Sequence, residues 1–282
     1  MGLRLNAKSV NQDDPSVYHL FYGDELARPG ADITFFEYPG AIPGRAGAGM
    51  VHRIVWRVAS RKALDFWADR LKSLGTAFER DDDSIRFADF EGLGHELVLN
   101  QTADDPLIAD HPEIPGDMAL QGFEGVRAYS HAPELTAKLL EGLMSAKKMD
   151  QAWEVRGKHR GGWMALDASP MLSGRQSAGT VHHVAWGTTD AEQGKWVETL
   201  NQAGVRHSGI IDRHYFHSLY FREPGGVLFE LATEEPGFTI DGPVEDFGKK
   251  IILPPWLEKD RAAVEARLTP LPDPRAGWAR RD

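Results

Sequence analysis

The spacing of apolar positions changes along the chain, and the changes mark out its elements. Leu3 to Val10 alternates roughly between apolar and polar residues, the period of a half-buried strand. Val17 to Tyr22 (VYHLFY) and Ile33 to Glu37 (ITFFE) are rich in β-branched and aromatic residues, with a Gly/Pro-bearing loop between them. Residues 39 to 48, dense in Gly and Pro, read as a linker. MVHRIVWRV, Met50 to Val58, is a strand. The period then lengthens to that of a helix over Arg61 to Leu74, with Leu64, Trp67, Leu71 and Leu74 on one stripe and Gly75 as the stop. Short strands follow near Ala77 to Arg80, Ser84 to Phe87 and His95 to Asn100, giving the order βαβββ.

Residues 101 to 120 are rich in Asp and Pro and read as a connection between domains. A third unit begins at Phe123, with a helix over Pro133 to Met144 and strands near Ala152 to Arg156 and Gly162 to Leu166. A fourth begins with a strand at Val181 to Trp186. It continues with a helix near Ala191 to Ala203, closed by Gly204, and three further strands.

Units two and four superimpose as text. MVHRIVWRV matches TVHHVAWGT, and Ser84 to Leu97 (SIRFADFEGLGHEL) matches Ser218 to Leu231 (SLYFREPGGVLFEL) without a gap. Glu96 therefore stands where Glu230 stands, but Arg53 stands where His183 stands. Self-similarity of this kind marks duplicated supersecondary units. The expected architecture is α+β, with four tandem βαβββ modules in two domains. The N-terminal domain would span 1–118 (module one 1–46, module two 50–100). The C-terminal domain would span 119–245 (module three 121–176, module four 179–238), followed by a tail over 246–282. Module one is incomplete by this comparison. About 25 residues carrying its first strand and helix are missing, which reads as a truncated or mis-started chain. The alternative is a naturally shorter first unit.

Composition narrows the chemistry. The 282 residues contain no cysteine, so disulfides, thiolate ligands and cysteine nucleophiles are excluded. A metal would be held by His, Asp or Glu, a donor set suited to iron, manganese or zinc. A net charge of −10 without a basic stripe speaks against a nucleic-acid partner. No apolar run reaches the ~20 residues of a membrane span. No signal-peptide core precedes the first strand. The expected compartment is the cytoplasm.

The candidate chemistry gathers between Thr180 and Phe238. Strand alternation lets only one of His182 and His183 face a given metal, and the repeat register favours His183. Glu230 sits in an otherwise apolar strand, where burial calls for a partner or a metal. The plain alternative is that Glu230 pairs with Arg213. DRHYFHSLYF, Asp212 to Phe221, adds Arg213, His214, Tyr215, His217 and Tyr220, and a cation with a phenol suits an anionic oxygen substrate. His214, His217 and Trp186 are substrate-pocket candidates. His19 and His52 have weaker claims, and Trp56, Trp186 and Phe216 suit a core as well as a pocket. Two metal donors, His183 and Glu230, fall short of a triad of two His and one carboxylate.

These stretches carry a resemblance that covers nearly the whole chain. Ser9 to Phe36, MVHRIVWRV, VHHVAW, DRHYF, LYFREPGGVLFELATEEPGF and the tail Gly248 to Pro272 resemble the ring-cleaving dioxygenases of the vicinal-oxygen-chelate (glyoxalase/bleomycin resistance/extradiol dioxygenase) superfamily, and in particular their hydroquinone-type branch. The resemblance implies Fe(II), with Mn(II) as the second metal, held by one His from module one and by His183 and Glu230. It implies supporting roles for His182, Arg213 and Tyr220. The implied partners are a small aromatic diol, hydroquinone or catechol, and O2. Assembly is left open, a homo-oligomer included. Two other functions remain in play. One is glyoxalase-like metal chemistry on the same scaffold. The other is aromatic binding without catalysis, because the module-one His is not in the chain.

Overall fold

The strand periods resolve into three open sheets in the computed structural model, which describes residues 1–278. The last four positions of the 246–282 tail lie outside the described residues. The first sheet is an antiparallel meander of β1 (Arg4–Asn11), β2 (Asp14–Gly23) and β3 (Ile33–Phe36). A complete βαβββ unit follows: β4 (Met50–Val58), α1 (Arg61–Ser73), β5 (Phe78–Arg80), β6 (Ser84–Ala88) and β7 (Gly94–Leu99). The next has the same order: β8 (Leu120–Ser130), α2 (Pro133–Gly142), β9 (Lys147–Lys148), β10 (Ala152–Arg156) and β11 (Gly161–Ala168). The last comprises β12 (Val184–Thr188), α3 (Asp190–Gln202), β13 (His207–Asp212), β14 (His217–Arg222) and β15 (Leu228–Thr233).

Within each complete unit the first strand runs parallel to the last, and the helix is the crossover that makes this possible. β4 and β8 then pair antiparallel, so the two middle units form one eight-stranded sheet, ordered β5-β6-β7-β4-β8-β11-β10-β9. The fourth unit is a separate four-stranded sheet, ordered β12-β15-β14-β13. β3 and β12 each end a sheet with one edge unpaired. Phe36 at the end of β3 and His182 just before β12 are 6.2 Å apart ring to ring, yet no ladder joins the two strands.

The helices cover the outer sheet faces as their periods require. α1 starts at Ser60, whose side chain accepts from the Ala63 N–H, and buries Ala63, Leu64, Trp67, Ala68 and Leu71. Leu74, expected on that stripe, caps the helix and is 67% exposed, because it points past the last turn. α2 buries Leu139 and Leu140 and leaves Leu135 in solvent. Among the described residues no helix is long and apolar enough to cross a membrane.

The first sheet has no helix of its own on its outer face. The C-terminal tail takes that place. Leu253, Val264 and Leu268 pack with Val10 and Tyr18. Burying each such aliphatic side chain is worth about 1.5–3 kcal/mol. The Ile252 N–H donates to the Lys8 carbonyl at 2.9 Å, and the Lys8 ammonium donates to the carbonyls of Lys249 and Leu271. A bulge at Asn6 shifts the register, so Leu5, Lys8 and Val10 share this covered face while Arg4, Ala7 and Ser9 share the other, and β1 is buried on both sides despite its charges. That leaves the other face of β2, with His19 and Phe21, turned toward the fourth unit.

Candidate metal centre

Register decides which side chains of the fourth sheet converge. Tyr220 lies directly opposite Glu230 across β14 and β15, so both project from one face. Leu219, Phe221, Phe229 and Leu231 project from the other, into the core under α3. Across β12 and β15, Ala185 faces Glu230, which places His183 two residues before that pair. Its Nε2 is 2.8 Å from Glu230 Oε2. The two residues expected as metal donors therefore touch each other directly.

The same register holds in the second unit, where Val55 faces Glu96 and Arg53 sits two residues earlier. Arg53 Nη1 is 3.3 Å from Glu96 Oε2. The repeat thus places a salt bridge where the fourth unit has imidazole and carboxylate. A guanidinium neutralises a carboxylate but is no metal ligand.

Glu230 is only 3% exposed. Burial pushes its carboxyl up, but the hydrogen bond and charge of His183, with the Ser218 and Tyr220 hydroxyls beside it, outweigh burial and hold it below the usual carboxylate range. One of its oxygens, Oε1, is buried without a well-formed hydrogen bond. A buried carboxylate oxygen left open, beside an imidazole, is the donor arrangement a cation would complete. Among the described residues no three His, Asp or Glu side chains come together closely enough to hold a metal.

The groups around this pair are partly as expected. His182 Nδ1 lies 2.9 Å from His183 Nδ1, with the rings nearly perpendicular. The histidine pair was expected inside a strand, facing opposite ways. Instead both residues precede β12, where no ladder imposes alternation, so the two rings touch. Burial and the neighbouring His183 lower the His182 pKa. The Tyr220 ring is 5.9 Å from the His183 ring. Burial and the Glu230 charge push its phenol upward. Arg213 does not pair with Glu230 as the plain alternative required. It forms an ion pair with Asp13 in the β1–β2 turn, at 3.1 Å, and its carbonyl accepts from Gln12 Nε2. The first sheet is thereby tied to the loop that carries Arg213.

Three pocket candidates go elsewhere. His217 shares its face with Leu219 and Phe221 rather than Tyr220, and its Nδ1 meets Asp190 at the start of α3. Trp186 shares its face with the α3 core and lies 5.7 Å from Phe229. His214, with φ at 70°, turns to Asp241 and Trp256 on the tail side. The residue undervalued by sequence reasoning is His19. It packs 4.0 Å from the Phe21 ring and 4.4 Å from the Phe36 ring. Burial, then the charges of His183, Arg213 and His182 against that of Glu230, bring its pKa down to about 3. Strand alternation puts His19 on one face of β2 with Phe21. What it left open was which face of that strand meets the fourth unit. His52, the other residue with a weaker claim, bonds Asp167 and stacks on Tyr129 in the eight-stranded sheet.

Parallel first and last strands joined by a helix, repeated along the chain, with a His–Glu pair in one unit, define a class. Residues 79–231 match the Glyoxalase/Bleomycin resistance protein/Dioxygenase superfamily, and the chain belongs to it. More narrowly, it is 36% identical to a Bacillus subtilis protein named "Putative ring-cleaving dioxygenase MhqA", over 96% of this chain and 92% of that one. It is 29% identical to the chlorohydroquinone/hydroquinone 1,2-dioxygenase of Sphingobium indicum, over 92% of this chain and 85% of that one. A crystal structure described as a "putative dioxygenase from Bacillus subtilis" superimposes with a TM-score of 0.88 at 36% identity, covering 96% of this chain and 89% of that one.

Proposed function

We propose that the chain is a ring-cleaving dioxygenase that opens a hydroquinone- or catechol-type diol with O2, using a divalent metal at His183 and Glu230. Iron(II) is the metal proposed, with manganese(II) the second choice for the same donors. The observation that carries the reading is the buried His183–Glu230 contact with a free carboxylate oxygen. The relatives' names support the reaction type. Bound there, the metal would polarise the substrate oxygen and activate O2.

The chain's own groups have distinct tasks in this reading. Arg213 holds positive charge near the phenolate that forms when the diol loses a proton. The Tyr220 hydroxyl, beside Glu230, positions or returns a proton at the reacting oxygen. His182 touches His183 and fixes its ring, as a residue behind a ligand does. Phe21 and Phe36 give the diol an apolar wall.

The test is oxygen uptake by the iron-loaded protein with hydroquinone. Tyr220→Phe should lower kcat by about 10²–10⁴-fold, the usual worth of a proton-transfer group, with KM little changed. An unchanged kcat would remove Tyr220 from the reaction. A second reading, aromatic binding without catalysis, is favoured by the two-donor set among the described residues. It prevails if hydroquinone binds while iron does not bind in stoichiometric amount.

A further inference from the structure

Among the described residues, the buried polar atoms without a well-formed hydrogen bond include three near the His183–Glu230 contact, Glu230 Oε1, the neighbouring Ser218 Oγ and His19 Nε2. The proposed metal would engage Glu230 Oε1, and the Ser218 hydroxyl lies beside that carboxylate, which leaves His19 Nε2 to be accounted for. His19 stands on β2 of the first sheet, on the face it shares with Phe21, which contacts Phe216 of the fourth unit. Its ring is fixed between Phe21 and Phe36, which leaves it little freedom to turn toward solvent. His183, Glu230, Arg213 and His182 all act on it electrostatically, and Phe36, which packs on it, lies 6.2 Å from the His182 ring, so His19 stands close to the histidine pair. Yet it does not complete a metal-binding group with His183 and Glu230. A buried polar atom without a partner costs about 1–3 kcal/mol, and such a cost is removed when a ligand supplies the missing bond.

We propose that His19 recognises the second hydroxyl of the aromatic diol, the one turned away from His183 and Glu230. The inference rests on the diol reading above. A neutral imidazole offers either a donor or an acceptor at Nε2, and a phenol hydroxyl can meet either. The flanking rings of Phe21 and Phe36 suit the substrate's apolar body, and the imidazole puts a polar group between them. The two oxygens of a diol would thus be held from opposite sheets. The fourth sheet would hold the reacting oxygen and the first sheet the other. This gives the first sheet a task in selection, beyond packing on the tail.

The experiment compares the binding of hydroquinone with that of phenol, which lacks the second hydroxyl. Titration calorimetry on the whole chain, iron-loaded and without oxygen, reads both affinities. The wild-type protein should prefer hydroquinone, and His19→Phe should lower the hydroquinone-to-phenol affinity ratio by about 3–12-fold, the worth of one neutral hydrogen bond. His19→Gln keeps a polar terminus and should restore most of the ratio. A ratio unchanged in His19→Phe would overturn the assignment, and would mean that Nε2 holds a water instead. If the wild-type protein binds neither ligand, the diol reading itself falls, and the inference falls with it.

Discussion

Replacing Glu230 by glutamine should leave a folded protein that no longer holds iron or consumes oxygen with hydroquinone. Glutamine has nearly the shape of glutamate and can still bond His183, so β14 and β15 keep their register. What it lacks is the negative charge. Metal affinity should fall by more than about a hundredfold, beyond the cost of losing a residue that merely supports a ligand. His183→Ala should give the same loss of iron with a different stability. It strands the Glu230 carboxylate, 3% exposed, without its partner. Breaking one side of a buried pair costs about 3–5 kcal/mol, so metal-free His183→Ala should unfold at lower denaturant than metal-free Glu230→Gln. Metal analysis of the purified variants and urea melts of their metal-free forms read both effects. Full iron occupancy in Glu230→Gln would take Glu230 out of the metal site.

Arg57→Met should cause the largest loss of stability away from the site. Arg57 is 2% exposed, and its guanidinium is fully committed. It meets Asp104 Oδ2 at 2.8 Å, Thr102 Oγ1 at 3.2 Å, the Glu124 carboxylate and the Gly161 carbonyl. One side chain of β4 therefore ties down the 101–120 connection, β8 and β11. Methionine fills much of the volume but leaves Asp104 and Glu124 short of a partner, at a cost of about 3–5 kcal/mol. Arg156 still pairs with Asp104, which keeps the effect from being larger. The pH dependence has a definite sign. Burial pushes the Asp104 carboxyl up, but hydrogen bonds from Arg156 and Arg57 outweigh burial and hold it far below its ordinary value of 3.8. A carboxyl depressed on folding stabilises fully above its unfolded pKa, and the contribution is lost as pH falls through the folded value. Wild type should therefore lose stability on acidification below about pH 4, and Arg57→Met should lose less over that window. Urea midpoints at neutral and acidic pH measure the difference. Parallel losses in both proteins would contradict it.

Much of the fold was legible because each complete unit carries its period openly. The switch from strand to helix at Arg61 and the stop at Gly75 fall within a residue or so of α1. The ungapped match of Ser84 to Leu97 with Ser218 to Leu231 anticipated that Glu96 and Glu230 occupy one register. Arg53 and His183 do as well. Within the site, Glu230 was legible as a group in need of a partner or a metal because it is a lone carboxylate in an apolar strand, but its direct contact with His183 was not. Long-range geometry was not readable. The sequence places His217 near Tyr220, but strand parity sends it to Asp190. Trp186 likewise follows parity into the α3 core. His19 lies far along the chain from Glu230, and only the docking of the first sheet against the fourth brings it in. The covering of that first sheet by the tail was equally hidden, since no local period announces a partner more than 240 residues away.

The most direct test of the account is the fate of labelled dioxygen. Iron-loaded protein is given hydroquinone under ¹⁸O₂, and the product is weighed by mass spectrometry. A ring-cleaving dioxygenase puts both labelled atoms into one ring-opened product and consumes one O2 for each diol. Hydroquinone oxidised to quinone without label, or bound and left intact, would contradict the account.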